Sequence, residues 1–385
     1  MKITDLKTYP VFVGRRNQCI VKVETDEGLH GWGEATCGSL AVVPMVQELG
    51  AGLIGENAFA IELLWQRMYH CSHNIRGGVI HMAALSGIDM ALWDLKGKAL
   101  GVPVYELLGG AVRDNLWCYG RFDGPSPDAA MQHARRSLAE GYTALKGDPF
   151  VGRGSYLHSE ALDAAVETIL AVREAVGPNV EILIEAHGRL SLESATRFAS
   201  AVRPARPFFI EEPLVPEDLE GLSILRSRTA IPLATGERLL TKWAFAPLLE
   251  RRLVDIVQPD PAHAGGLTEL RKIAAMAEAH HVWMQPHNPY GPVNTLAAAH
   301  LNATLPNFMI MELIMEAGMH DWFGQILTTP FPSPRDGYFP VPTAPGLGLD
   351  INEDVLAGLP PAREAHPSSY LRHARVNSLQ GNSWS

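Results

Sequence analysis

From about Trp117 the chain repeats one unit: a short apolar run, a loop, then a stretch with helical spacing of apolar residues. The runs are LWCYG, YTALKG, EILIEAHG, PFFIEEP, IPLATGE, LVDIVQPD, VWMQPH and NFMIMEL, eight in all. Short apolar runs with no polar alternation read as parallel strands buried on both faces. Between them, LESATRFASAVR places Leu192, Ala195, Phe198, Ala199 and Val202 on one helical face, with Ser191 as N-cap. Eight strands alternating with helices predict a closed (β/α) barrel rather than an open sheet. An open dinucleotide-binding sheet would carry GxGxxG after its first strand, and the sequence has neither that motif nor a GxxxxGK phosphate loop.

The first ~115 residues have a different rhythm. Strand-like segments come first (Lys2 to Phe12, CIVKVETDEG and GLHGWGEAT), with Asp26-Glu27-Gly28 as a hairpin turn. Helical segments follow at Val42 to Leu53, Ala60 to Tyr69 and Gly78 to Ala99. The predicted fold is therefore a (β/α)7β TIM-like barrel with an α+β N-terminal capping domain that the C-terminal segment completes. Its expected divisions are 1–115 for the cap, 116–325 for the barrel and 326–385 for the returning segment. The polar end, HARVNSLQGNSWS, reads as disordered or as an oligomer contact, and a homo-oligomer is the expected assembly.

Composition narrows the function. With 32 basic and 42 acidic side chains the formal charge is −10 and no long basic run exists, which argues against nucleic acid or an anionic membrane. No run approaches the ~18 apolar residues of a membrane span, and MKITDLKTYP lacks the apolar core of a signal peptide. The four cysteines, Cys19, Cys37, Cys71 and Cys118, form no CxxC pair. A reducing cytoplasm and a small-molecule substrate are the expected setting.

Chemistry in such a barrel sits at the C-terminal ends of the strands. Three acids stand there at equal intervals of 26 residues: Glu185, Glu211 and Glu237. One strand–helix unit takes about that length, so the three should occupy neighbouring strand ends and converge on one volume. Uncompensated, they would repel until one stayed protonated; a divalent cation removes the conflict. All-oxygen ligation points to Mg²⁺, with Mn²⁺ as the alternative. Side chains alternate, so only one of Glu211 and Glu212 can face inward, and the interval favours Glu211.

His187 follows Glu185 by two residues, which puts it on the same strand face. Asp260 ends strand six and His287 ends strand seven, where the carboxylate can orient the imidazole and raise its basicity as a general base. Lys146, ending strand two, is a candidate proton-transfer group or electrostatic clamp. Asp148 is a candidate substrate contact, with an ion pair to Lys146 as its ordinary alternative. Glu312, ending strand eight, either bonds a substrate carboxylate in protonated form or balances a nearby cation.

These residues resemble the enolase superfamily, its mandelate racemase subgroup, and within it the acid-sugar (galactonate-type) dehydratases. The likeness runs from about residue 19 to 350 and rests on VETDEGLHGWGEA, SGIDMALWDLKGKALGVPVYELLGG, AHGRL, FIEEPL, PLATGER, VQPDPAHAGGLTE, Pro286-His287 and PGLGLD. It implies that Glu185, Glu211 and Glu237 ligate Mg²⁺ and that His287, oriented by Asp260, takes the α-proton. His187 would protonate the departing β-hydroxyl, and Glu312 would contact the substrate carboxylate. The product would be a 2-keto-3-deoxy acid made from an aldonate or aldarate. Cap residues Arg15, Arg16, Asn17 and His73 are candidates to close over a polyhydroxylated substrate. Two departures stand out: Glu185 replaces the subgroup's usual Asp, and Lys146-Gly147-Asp148 replaces Lys-x-Lys. The runner-up chemistries are racemisation or epimerisation, which need a base on each face, and cycloisomerisation. A metal hydrolase on this barrel would show HxH on strand one, where the chain reads LWCYGRF.

Overall fold

The computed structural model describes residues 1–13, 16–71, 73–150, 156–313 and 319–362. Strands β1 (Ile3–Val13), β2 (Arg16–Thr25) and β3 (His30–Glu34) form an antiparallel sheet, with the expected turn between β2 and β3. Helices α1 (Val42–Ala51), α2 (Ile61–His70) and α3 (Val79–Leu100) follow. α3 is buried on almost every side, so its sequence shows little one-faced pattern. The alternate glycines of β3 explain the packing: a Cβ on Gly33 would lie 1.8 Å from the Gly87 carbonyl oxygen of α3, and one on Gly31 2.0 Å from that of Ala91. Strand and helix backbones meet there with no side chain between them.

The barrel sheet runs in chain order through β5 (Gly120–Arg121), β6 (Ala144–Gly147), β7 (Glu181–Glu185), β8 (Phe209–Glu211), β9 (Leu233–Thr235), β10 (Ile256–Val257) and β11 (Trp283–Met284), all parallel. The eighth apolar run closes the ring: Met309 N donates to Met284 O, and Met311 N donates to Trp117 O. The first run divides. Its opening residues form β4 (Asn115–Trp117), which pairs antiparallel with β12 (Tyr338–Pro340) in a separate two-stranded sheet, Cys118 bridges in parallel to Met311, and Gly120–Arg121 pairs with β6.

Seven of the eight apolar runs, all but VWMQPH, contribute to a small interior floor of Tyr119, Ala144, Leu183, Phe209, Ala234, Ile256 and Ile310, all buried. Strand side chains alternate, so the residue two positions on returns to the interior one layer higher. That second layer reads Arg121, Lys146, Glu185, Glu211, Gly236, Gln258 and Glu312. An apolar floor under a charged layer is the arrangement that positions the site.

The cap is held to the barrel by buried carboxylates placed on free backbone N–H groups at helix starts. Glu34 accepts from Gly291 and Asn294 at the opening of helix Pro292–Thr304, and Asp89 accepts from Thr268 in helix Gly266–Ala279. The C-terminal segment returns to the cap as expected: Asp94 accepts from Leu347 N, Asp350 from the Trp32 indole, and Glu353 from Lys22. Among the described residues no helix is long and apolar enough to cross a membrane. The polar tail after residue 362 lies outside them.

Candidate active site

Glu185 and Glu211 are direct register partners on β7 and β8. Glu237 reaches the same volume by another route. Glu211 pairs with Ala234, so Glu237 stands three residues further along its chain, past the end of β9. The layer position on that strand is Gly236, at φ +136°, and the turn it makes swings Glu237 inward. Equal sequence intervals therefore do not give equal register positions, yet one carboxylate oxygen from each of the three acids lies within 4.8 Å of the others. Glu212, the neighbour in FIEEP, has φ +40° and pairs with Arg238 instead.

Lys146 rises from the same layer of β6 and is enclosed by acids. Its Nζ lies 2.9 Å from both Glu211 oxygens, 3.2 Å from Glu185 Oε2 and 3.2 Å from Glu312 Oε1. Burial alone would lower its pKa, but Glu211 and Glu312 raise it well above the usual range, so it carries its proton. One ammonium does not balance the cluster: burial and the Glu185 charge push the Glu211 carboxyl well above its usual value. Such a crowded, buried, all-oxygen set is chemically suited to a hard divalent cation.

Two imidazoles flank the acids. His287 Nδ1 is 2.6 Å from Asp260 Oδ2, and its Nε2 is 3.5 Å from Glu237 Oε2. Burial works against protonation of this ring, but Glu237, Glu312 and Asp260 lift its pKa to about 10. His187 Nδ1 is 2.9 Å from Asp148 Oδ2. The expectation that His187 continues the strand face needs correction. β7 ends at Glu185, and His187 takes φ +48°, folding its N–H back onto Glu185 Oε1 at 2.7 Å.

Residues 129–355 match the family described as enolase C-terminal domain-like, and residues 8–109 match the mandelate racemase / muconate lactonizing enzyme N-terminal domain. The chain belongs to the enolase superfamily. Among its superfamily relatives, the D-galactonate dehydratases of Verminephrobacter eiseniae and Ralstonia pickettii are 41% and 42% identical to it. Each match covers 92% of this chain and 94% of the relative. A solved enolase-superfamily structure from Salmonella Typhimurium superposes with a TM-score of 0.88 at 32% identity, covering 93% of this chain and 98% of that one.

For this superfamily member the remaining sequence candidates divide. Asp148 does not pair with Lys146; it is bonded by His187, by the Arg189 guanidinium and by Phe150 N. Glu312 lies against cations. Burial would raise its carboxyl, but Lys146 and His287 bring it down to about 2, and Asn288 N donates to its second oxygen. Asn17 uses both ends of its amide on Ala362, which ties the cap strand to the returning segment. His73 is exposed in the turn after α2, and among the described residues no hydrogen bond or ion pair joins it to the acids. Arg15 and the Arg16 side chain lie outside the described residues. Sequence reading missed Arg189, Asn288 and Glu34. Arg189 carried a usable signal in AHGRL; the other two act through contacts far apart in sequence.

Proposed function

We propose that this enzyme is a sugar-acid dehydratase: it takes the proton α to a carboxylate of an aldonate or aldarate and expels the β-hydroxyl as water. The carrying observation is the pair of imidazoles beside one acidic centre, each fixed through Nδ1 by its own carboxylate, Asp260 for His287 and Asp148 for His187. Elimination needs one group to accept a proton and a second to donate one. The kinship to D-galactonate dehydratases supports the same reading.

In this mechanism Glu185, Glu211 and Glu237 hold Mg²⁺, with Mn²⁺ as the alternative; when bound, the ion supplies Lewis-acid polarisation of the substrate carboxylate. Glu237, the acid that raises the pKa of the His287 ring most, would be offset by a bound cation. Asp260 keeps the neutral His287 in the tautomer whose Nε2 is free to take the C2 proton. Lys146 and Glu312 form the wall against which the substrate carboxylate sits, and the Lys146 ammonium offsets its growing negative charge. His187, held by Asp148 and Arg189, gives its proton to the C3 hydroxyl as the C–O bond breaks. The C2–H electron pair becomes the C2–C3 double bond, and the enol product tautomerises to a 2-keto-3-deoxy acid. Racemisation would need Lys146 as a second base, but a lysine bonded by three carboxylates keeps its proton.

The test is incubation with Mg²⁺ and a panel of aldonic and aldaric acids that includes D-galactonate, read by semicarbazide trapping of 2-keto acids. One or a few acids should give product. Deuterium exchange at C2 with no loss of water would overturn dehydration in favour of racemase chemistry.

A further inference from the structure

Glu312 has two carboxylate oxygens and two different anchors. Oε1 meets Lys146, and Oε2 accepts the backbone N–H of Asn288 at 2.8 Å. Asn288 is 2% exposed and is fixed by its own side chain. Its Nδ2 donates to the Glu312 carbonyl at 3.0 Å and to Thr295 Oγ1 at 3.2 Å, and its Oδ1 accepts from Asn294 Nδ2 at 3.0 Å. Asn294 is seated in turn from the other domain: its backbone N–H donates to Glu34 Oε2 at 3.1 Å, while Gly291 N donates to Glu34 Oε1 at 2.8 Å. Glu34 is completely buried at the end of the cap strand β3, and Thr36 Oγ1 donates to it at 3.0 Å. The approach is so close that a Cβ on Gly291 would lie 2.6 Å from Glu34 Oε2.

We propose that Asn288 is a positioning residue for Glu312 and that the cap sets it through Glu34, so that a buried carboxylate of the capping domain holds a carboxylate of the active site in place. The path is Glu34 to Gly291 and Asn294, Asn294 to Asn288, and Asn288 to Glu312. Every step is a hydrogen bond between buried groups, where loss of a partner is costly and the remaining groups rearrange. The cap is then part of the catalytic framework and does more than cover the pocket.

The activity arm of the test rests on the dehydratase reading; the exchange arm does not. With the full chain, Mg²⁺ and the acid it turns over, Asn288→Ala should lower kcat/KM by about 10-fold or more: the variant keeps the backbone N–H that bonds Glu312 Oε2 but loses the buried side-chain bonds that hold this N–H in place. Because Asn288 acts through Glu312, the same change in a Glu312→Gln background should cost less than about twofold further. A folded Asn288→Ala enzyme with the wild-type rate, or losses that multiply in the double variant, would overturn the proposal. Asn288→Asp, which keeps the acceptor and removes the donor to the Glu312 carbonyl, serves if the alanine variant does not fold. Independently of turnover, Glu34→Gln turns an amide donor toward backbone N–H groups, and hydrogen exchange in the 288–295 segment should quicken about tenfold or more. Unchanged exchange there overturns the role of Glu34. Failure of the wild type to turn over any acid would sink the dehydratase reading alone, leaving the cap-to-site path to be judged by exchange.

Discussion

The Lys146 ammonium lies 2.9 Å from both carboxylate oxygens of Glu211, inside the same cluster of acids that is suited to a divalent cation. The lysine is thus a permanent positive charge of the site, to which a bound divalent cation would add.

Removing that charge should expose the imbalance. Lys146→Met leaves buried acids without their cation, a change that typically costs about 3–5 kcal/mol. The metal-free variant should melt well below the wild type, and Mg²⁺ should recover a larger share of the lost stability than it adds to the wild type. Thermal melts with and without Mg²⁺ check this. Equal Mg²⁺ stabilisation of both proteins would show that Lys146 and the metal do not share one electrostatic role.

The two histidines should separate by the step they serve. His287→Gln is expected to abolish both 2-keto product and deuterium exchange at C2, with kcat lower by about 10²–10⁴-fold. His187→Gln should lose product to a similar degree while retaining exchange, because the proposed mechanism gives proton removal to the other ring. NMR of substrate recovered from D₂O reads the exchange directly. Loss of exchange in both variants would reassign His187 to the first step.

Asp260→Asn tests orientation rather than proton transfer. An amide in place of the carboxylate cannot hold the His287 tautomer in the same way, so kcat should fall by about 10²-fold or more with a much smaller change in KM. An effect confined to KM would place Asp260 in substrate binding.

Asp89 predicts a pH signature in stability. Burial raises its carboxyl to about 7, and the hydrogen bond from Thr268 only partly offsets this. The folded-state value lies above the unfolded one of 3.8, so the folded protein binds more protons between them. The stability Asp89 contributes is full at pH values below that lower limit and is lost as pH rises through about 7. Asp89→Asn removes this dependence while keeping an acceptor for Thr268 N. The melting temperature of the variant minus that of the wild type should therefore rise from pH 4 to pH 8. A pH-independent difference would mean that Asp89 is ionised in the fold throughout.

Gly33→Ala tests the contact of β3 with α3. The added Cβ would sit 1.8 Å from the Gly87 carbonyl oxygen, and neither backbone can yield without breaking its own hydrogen bonds. Destabilisation above about 3 kcal/mol, or failure to yield soluble protein, is expected. Wild-type melting behaviour would show that the strand and helix separate readily.

Local pattern was enough to reveal the repeating strand–helix units, the cap before them, the returning PGLGLD segment, and the acids and histidines at the strand ends. Burial and side-chain alternation act over a few residues, so they leave a trace in the sequence itself. Alternation allows only one of Glu211 and Glu212 to face inward, but it does not say which; the 26-residue interval favours Glu211. What tertiary structure alone decided are the pairings between distant residues. Lys146 went to the acids and not to Asp148; Asp148 went to His187 and Arg189; Asn17 went to Ala362; Glu237 entered from beyond its strand because Gly236 turned the chain. Each choice depends on which charges and N–H groups the closed barrel and the seated cap bring within about 3 Å, and hydrogen bonds decay over distances that sequence intervals do not measure.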